Sequence, residues 1–413
     1  MNLPIAVLLA VFALIAARGA LQPRLSIWQI VLLGALAVLA TGQIGPLEAL
    51  QAIDVDVMLF LFGVFVIGQA LEASGVLSHL AYQVFRVART DDQLVLAVLF
   101  GGGVTSALLM NDTLAIVGTP VVIRLARAHG MSPKLLLQAL AFAVTTGSVM
   151  SPIGNPQNLL IAIHGGLTNP FATFLQRLAA PTLINLGLTY LVLNLFYRNH
   201  LGRRAITHVR DRLHDPALAR LARIALALLA AGVVAKVVLV FAAPQIELRL
   251  TYVALAPALV ILTFARRRLA IVQHIDWPTL VFFAALFVLV ASVWATGLVQ
   301  TWVAAAPVDL GGVGAIMGVS VLGSQLVSNV PLVALYLPLL QAGDGNSTAL
   351  VALAAGSTLA GNLLILGAAS NVIIIQTAER RFQATLTFWE FARVGVPLTV
   401  ANAAIYAGFL SLG

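Results

Sequence analysis

Apolar runs such as VLLGALAVLA (31–40) and LVFFAALFVLV (280–290) recur from one end of the chain to the other. Of the 413 residues, 61% are hydrophobic and only 9% are charged. A soluble domain carries roughly 25% charged residues. A chain this poor in charge cannot cover a water-facing surface, so a soluble globular protein, a disordered chain and a single-anchor protein are all excluded. The mean hydropathy of +1.01 names lipid as the main solvent. Continuous rather than alternating runs argue against an outer-membrane barrel. The fold class read here is an all-α polytopic membrane protein. The first run, MNLPIAVLLAVFALIAARGA, lacks a basic leader and reads as a retained helix rather than a cleaved signal.

The few charges then set the topology, because a span needs about 20 apolar residues and Lys and Arg collect on cytoplasmic loops. Spans are read at 2–17, 26–45, 57–75, 135–165, 172–197, 224–242, 250–265, 277–297, 349–378 and 388–411. Arg18, Arg24, Arg86, Arg89, Arg124, Arg127 and Lys134 mark cytoplasmic ends, as do Arg266–Arg268 and Arg380–Arg381. Segment 93–127 has bases at both ends, so it reads as a re-entrant hairpin from the cytoplasm with its tip near Met110–Thr113. Leu298–Thr348 holds no base, only Asp309 and Asp344, and 311–342 within it reads as a second hairpin entered from outside. The seven arginines of 198–223 form a basic cytoplasmic linker. The chain divides into a first repeat (1–197), this linker and a second repeat (224–413). The scheme gives about ten spans and places both termini outside, in a bacterial-type cytoplasmic (inner) membrane.

Three blocks repeat in order. Residues 53–77 align without gaps on 275–299, pairing Asp54 with Asp276. Residues 111–120 align on 329–338, pairing Asn111 with Asn329, and 153–161 align on 366–374, pairing Gly154 with Gly367 and Asn158 with Asn371. The charge map puts the two copies upside down to one another. Inverted repeats with interrupted helices mark secondary transporters.

Four interruptions carry the polar residues. They are Asn111, Asp112 and Thr113; Gly154, Asn155 and Asn158 within the break 151–158; Ser328 and Asn329; and Gly367, Ser370 and Asn371. Broken backbone at membrane depth is tolerated where it lines a cavity or is buried in protein. Helix N-termini at such breaks offer free N–H groups and partial positive charge. Helix capping is the structural alternative for any one Asn or Ser; recurrence at four places favours a substrate site. Asp112 is the acid nearest mid-membrane, and its counterpart is Val330. A carboxyl that can switch between neutral and charged is a proton carrier; a structural acid at the turn or a sodium ligand are the alternatives. Lys236 reads as snorkelling outward, and Glu72, His79 and His164 as interfacial.

The chain has no cysteine, which removes disulfides, thiol catalysis and thiolate metal sites. No GxxxxGK[ST], HExxH or GxSxG pattern appears, so neither ATP hydrolysis nor enzymatic chemistry is read, and no cofactor or metal. The excess of basic residues reports topology rather than nucleic-acid binding.

The segments MNDTLAIVGTP (110–120), SPIGNPQNLL (151–160), SNVPLVALYLP (328–338) and GNLLILGAASN (361–371) resemble the ion transporter superfamily, and within it the ArsB/NhaD-type permeases, over nearly the whole chain. That resemblance implies a ten-span carrier with two hairpins. Members include arsenite and antimonite permeases, sodium/proton antiporters, and sodium-coupled dicarboxylate, citrate and sulfate carriers. The Asn111-Asp112 pair looks most like arsenite permeases; dicarboxylate carriers show Ser-Asn-Thr at both tips, from which Asn111-Asp112-Thr113 and Ser328-Asn329-Val330 both depart. The resemblance thus implies export of arsenite or antimonite by proton antiport, with Asp112 carrying the proton. A sodium/proton antiporter or a sodium- or proton-coupled anion carrier are the alternatives. A cytosolic ATPase docking at 198–223 would be an added partner beside the lipid bilayer.

Overall fold

The computed structural model describes residues 3–21, 27–76, 79, 88–198, 215–242, 248–298, 301, 311–342, 346–384 and 386–412. Arg24, Arg86, Asp309, Asp344 and most of the basic linker (199–214) lie outside the described residues. Among those described, every regular element is helical.

Among the described residues eighteen α-helices follow one another. The first nine are α1 (Leu3–Leu21), α2 (Ile27–Ala40), α3 (Pro46–Ala52), α4 (Val55–Ala73), α5 (Asp91–Leu108), α6 (Asn111–Ala128), α7 (Pro133–Ser148), α8 (Pro156–His164) and α9 (Pro170–Tyr197). The second nine are α10 (Pro216–Ala242), α11 (Leu250–Phe264), α12 (Arg268–His274), α13 (Trp277–Trp294), α14 (Val313–Val327), α15 (Asn329–Ala342), α16 (Ser347–Leu363), α17 (Ala369–Phe382) and α18 (Phe388–Leu412). Of these, α4, α9, α10, α13 and α18 are long and apolar enough to cross a membrane by length and composition. The short helices α3 and α12 are additions to the sequence reading.

The packing partners recur with a shift of nine. α4 packs on α11 as α13 packs on α2, and α5 packs on α7 as α14 packs on α16. α6 packs on α17 as α15 packs on α8. Even the short helices obey the rule, α3 lying on α13 and α12 on α4. The strongest pairings sort the helices into a frame (α1–α4 and α10–α13) and an inner bundle (α5–α9 and α14–α18).

At the centre of the bundle α7 crosses α16. Leu135–Ser148 of α7 and Ala349–Asn362 of α16 are buried at every position. A helix without an exposed face sits in a core, and their small residues let the backbones approach.

α10 starts at Pro216, eight residues before the expected span at 224. The end of the basic segment is therefore its first two turns. Pro216 has a ring suited to a first helical position, and the Asp215 carboxylate accepts from the N–H groups of Ala217 and Leu218, both at 3.0 Å. Lys236 donates to the Leu248 carbonyl at 2.8 Å, beyond the end of its own helix.

Candidate functional site

The chain breaks where Gly, Pro, Ser and Asn cluster. α5 ends at Leu108 and α6 begins at Asn111, so the tip of this helical pair is Leu109-Met110. α7 stops at Ser148 and the chain resumes as α8 after Asn155. α14 and α15 meet at Ser328, and α16 gives way to a single 3-10 turn, Ile365–Gly367, before α17.

The break between α7 and α8 is closed by its own polar residues. Asn155 Oδ1 accepts from Asn158 N at 2.9 Å, capping α8. Asn155 Nδ2 donates to Ser148 Oγ at 3.0 Å and to Thr358 Oγ1 at 3.1 Å. The Asn158 amide donates to the carbonyls of Ser148 at 3.1 Å and Ser151 at 3.0 Å. Thr358 Oγ1, on α16, donates to Asn158 Oδ1 at 3.2 Å and receives Gln157 Nε2 at 3.3 Å. Asn155 and Asn158 are completely buried. A Cβ on Gly154 would stand 2.5 Å from the Ser148 carbonyl oxygen, so only glycine fits the tight return. The Gly154 carbonyl accepts from Asn111 N at 2.9 Å, tying the tip at α6 to this break.

The break between α16 and α17 copies the backbone but not the side-chain closure. Asn371 Nδ2 donates to the Gly361 carbonyl at 2.6 Å, just as Asn158 does to Ser148. A Cβ on Gly367 would stand 2.4 Å from the Ala360 carbonyl oxygen. Ala368 occupies the place of Asn155, and α17 has no side-chain cap. Thr145 is the repeat partner of Thr358, and its Oγ1 finds no hydrogen-bond partner. Nor do the buried Oδ1 atoms of Asn371, Asn362 and Asn329, or Ser370 Oγ. Because the Asn371 and Asn362 amide nitrogens are spent on Gly361 O and Thr146 Oγ1, these free Oδ1 atoms are acceptors.

Asp112 stands in the first turn of α6, its N–H donating to Asn111 Oδ1 at 2.9 Å. The Asp276 carboxylate at the start of α13 acts on it through space. Thr113 turns instead to the frame, where Gly68 of α4 makes room for it: a Cβ on Gly68 would lie 3.0 Å from Thr113 Cγ2. Ser328 adopts φ 73 and ψ 158, a conformation that nearly excludes side chains and costs about 1–3 kcal/mol.

The structure therefore gathers Asn155 and Asn158 in one network, joins Asn111 to Gly154, and sets Ser370 and Asn371 beside the other break. It adds Thr145, Ser148, Gln157, Thr358, Asn362 and Asp276, none of which the sequence reading selected. Extending the alignment of 153–161 with 366–374 backward without a gap pairs Thr145 with Thr358; that signal was within reach.

Residues 9–356 match the family described as citrate transporter, CitMHS. The chain is similar to the uncharacterized transporter Rv2685 of Mycobacterium tuberculosis, strain ATCC 25618 / H37Rv, at 30% identity, covering 99% of this chain and 97% of that protein. It is also similar to the silicon efflux transporter LSI3 of Oryza sativa subsp. japonica, at 29% identity over 91% of this chain and 90% of the relative. Its fold is similar to that of the Alcanivorax borkumensis YdaH transporter, with a TM-score of 0.59 at 17% identity, over 99% of this chain and 97% of that one. A helical fold shared with a transporter, interrupted helices meeting at a buried polar centre, and a match over most of the chain lead to one conclusion: the protein is a multi-pass membrane transporter of the citrate transporter (CitMHS) family.

Proposed function

We propose that this transporter exports a small neutral hydroxy acid, arsenite or antimonite, in exchange for protons. The observation that carries the reading is a group of buried oxygens without partners around the second break and its neighbouring tip: the amide acceptors Asn329 Oδ1, Asn362 Oδ1 and Asn371 Oδ1, and the hydroxyls of Thr145 and Ser370, which accept or donate. An unpaired buried polar group is costly. A trihydroxy acid supplies O–H donors to such atoms and takes N–H bonds from the uncapped α17 terminus. A carboxylate has no proton to give the three amide oxygens. Neither break nor tip holds a Lys or Arg that would offset anionic charge. The silicon efflux function named for the rice relative agrees in chemistry, since silicon dissolves at neutral pH as an uncharged hydroxy acid.

In this reading Asp112 is the proton carrier, and the two repeats (1–197 and 224–413) are inverted halves with both termini outside. The bundle carries the site past the frame between inward- and outward-facing states. A second reading, a sodium- or proton-coupled carrier of an anion such as citrate, is favoured by the family description and by the helix N-termini at the breaks, which attract anions.

Everted vesicles decide between them. Arsenite should accumulate under an imposed proton gradient, and Asp112→Asn should reduce accumulation to the level of vesicles lacking the protein. Uptake of citrate stimulated by sodium, with no arsenite signal, would establish the second reading instead.

A further inference from the structure

The frame touches the inner bundle through a limited set of helix pairs, among them α1 with α14, α4 with α6 and α8, and α13 with α15. Ion pairs describe the same division. Lys134–Glu390 joins two helices of the bundle, and Asp56–Arg249 joins two elements of the frame. Asp54–His164 joins frame to bundle, its Nε2–Oδ2 separation being 3.0 Å. Asp54 caps α4, its Oδ1 accepting from Val57 N at 2.8 Å, and so is fixed to the frame. His164 ends α8, the second half of the broken helix, and its carbonyl accepts from Gln341 of α15. Three elements therefore meet at one residue, Asp54 of α4 at the His164 ring and Gln341 of α15 at its carbonyl.

The repeat supplies a control. Asp276 is the counterpart of Asp54, yet its oxygens accept from Thr279 N at 3.1 Å and Thr279 Oγ1 at 2.6 Å, within its own helix. The gap-free alignment places Thr377 opposite His164. The ionic bridge thus exists in one copy and has no titratable equivalent in the other.

We infer that Asp54 and His164 form a latch that positions α8 against the frame when His164 is protonated and releases it when the imidazole is neutral. This rests on the reading in which the bundle moves past the frame.

Other charges of the frame and bundle are engaged with partners of their own. Asp56 lies 3.7 Å from Arg249 and accepts from Thr251 Oγ1 at 2.7 Å. Glu48 accepts from Gly45 N at 3.0 Å, Arg177 donates to Thr348 Oγ1 at 2.7 Å, and Lys236 donates to Leu248 O. Asp54 is partly buried, which raises its carboxyl, but bonds from His164 and from the Val57 N–H outweigh this and hold it below 3.8. A carboxyl lowered in this way contributes fully above its ordinary value and is lost only as pH falls through the lower one. Above the usual carboxylate range Asp54 therefore stays charged, and the contact is an ion pair whenever the imidazole carries its second proton. The latch accordingly tightens as the outside acidifies. The side chains are 40% and 22% exposed, so protons reach them and the contact is a modest one.

The absence of cysteine allows clean spin labelling. Labels at Leu50 on α3 and Thr168 after α8, both exposed, report the frame-to-bundle distance in proteoliposomes. The long-to-short population ratio should rise about threefold from pH 5.5 to pH 8. Asp54→Asn and His164→Gln should remove this dependence, and His164→Lys should keep the short distance at both values. An unchanged wild-type distribution, or a pH response that survives His164→Gln, overturns the latch. Arsenite flux in the same preparation reports separately on the exporter reading: distances that switch with pH in protein carrying no arsenite overturn that assignment alone.

Discussion

The two helix breaks share a backbone plan and differ in what completes it. At the first, Asn155 caps α8 and reaches across to Thr358, and Asn158 sews the loop to the end of α7. At the second, Ala368 replaces that asparagine, Gly361 replaces Ser148, and Thr145, Ser370 and Asn371 keep unpaired oxygens. The neighbouring tip is also the strained one: Ser328 sits at φ 73, whereas its counterpart Met110 sits at φ −41. Duplication followed by divergence has left one break as structure and the other with spare hydrogen-bonding capacity. On the proposed reading the first break is a pivot that holds and the second is a site that gives its bonds to cargo and takes them back.

The largest effect should come from making the second break resemble the first. Ala368→Asn should cap α17 and pair with Thr145 Oγ1, and on the proposed reading arsenite efflux should fall by about 100-fold or more while the melting temperature in detergent holds or rises. Retained efflux would mean that cargo does not use those atoms.

The next largest should be a loss of stability. Gly154→Ala and Gly367→Ala each drive a methyl to within 2.5 Å of a carbonyl oxygen. Each should cost about 2 kcal/mol, visible as a lowered melting temperature and lower yield.

The smallest distinguishes the closed break from the open one. Thr358→Val removes one hydroxyl that serves Asn155, Gln157 and Asn158. It should cost about 1 kcal/mol in thermal unfolding, and Thr358→Ser should restore most of it. Thr145→Val removes a hydroxyl that bonds nothing, so its stability should be nearly unchanged and its effect should appear in transport affinity.

Much of this architecture was legible in the chain. The break at 151–158 announces itself through Pro152, Gly154 and Pro156 with Asn155 to cap the next helix, and the one at 367–371 through Gly367, Ser370 and Asn371 and their alignment on the first. The first hairpin tip follows from bases at both ends of an over-long apolar segment, and the second from a hairpin-length stretch inside a window without bases. Other features were not legible. The bond from Asn155 to Thr358 spans 203 residues, and no local pattern encodes it. His164 reads as one more interfacial histidine until the fold brings Asp54 to it. α10 starts early because Asp215 and Pro216 form a cap, a signal hidden within the surrounding arginines.

The sequence by itself determined the solvent, the helical class, the duplication and the places where helices stop, because each depends on composition or on near neighbours along the chain. The tertiary structure decided which break is satisfied and which is open, and which acid meets which base. Hydrogen bonds and ion pairs act over a few ångströms, and only the folded packing of α7 on α16 and of α8 on α4 sets those distances.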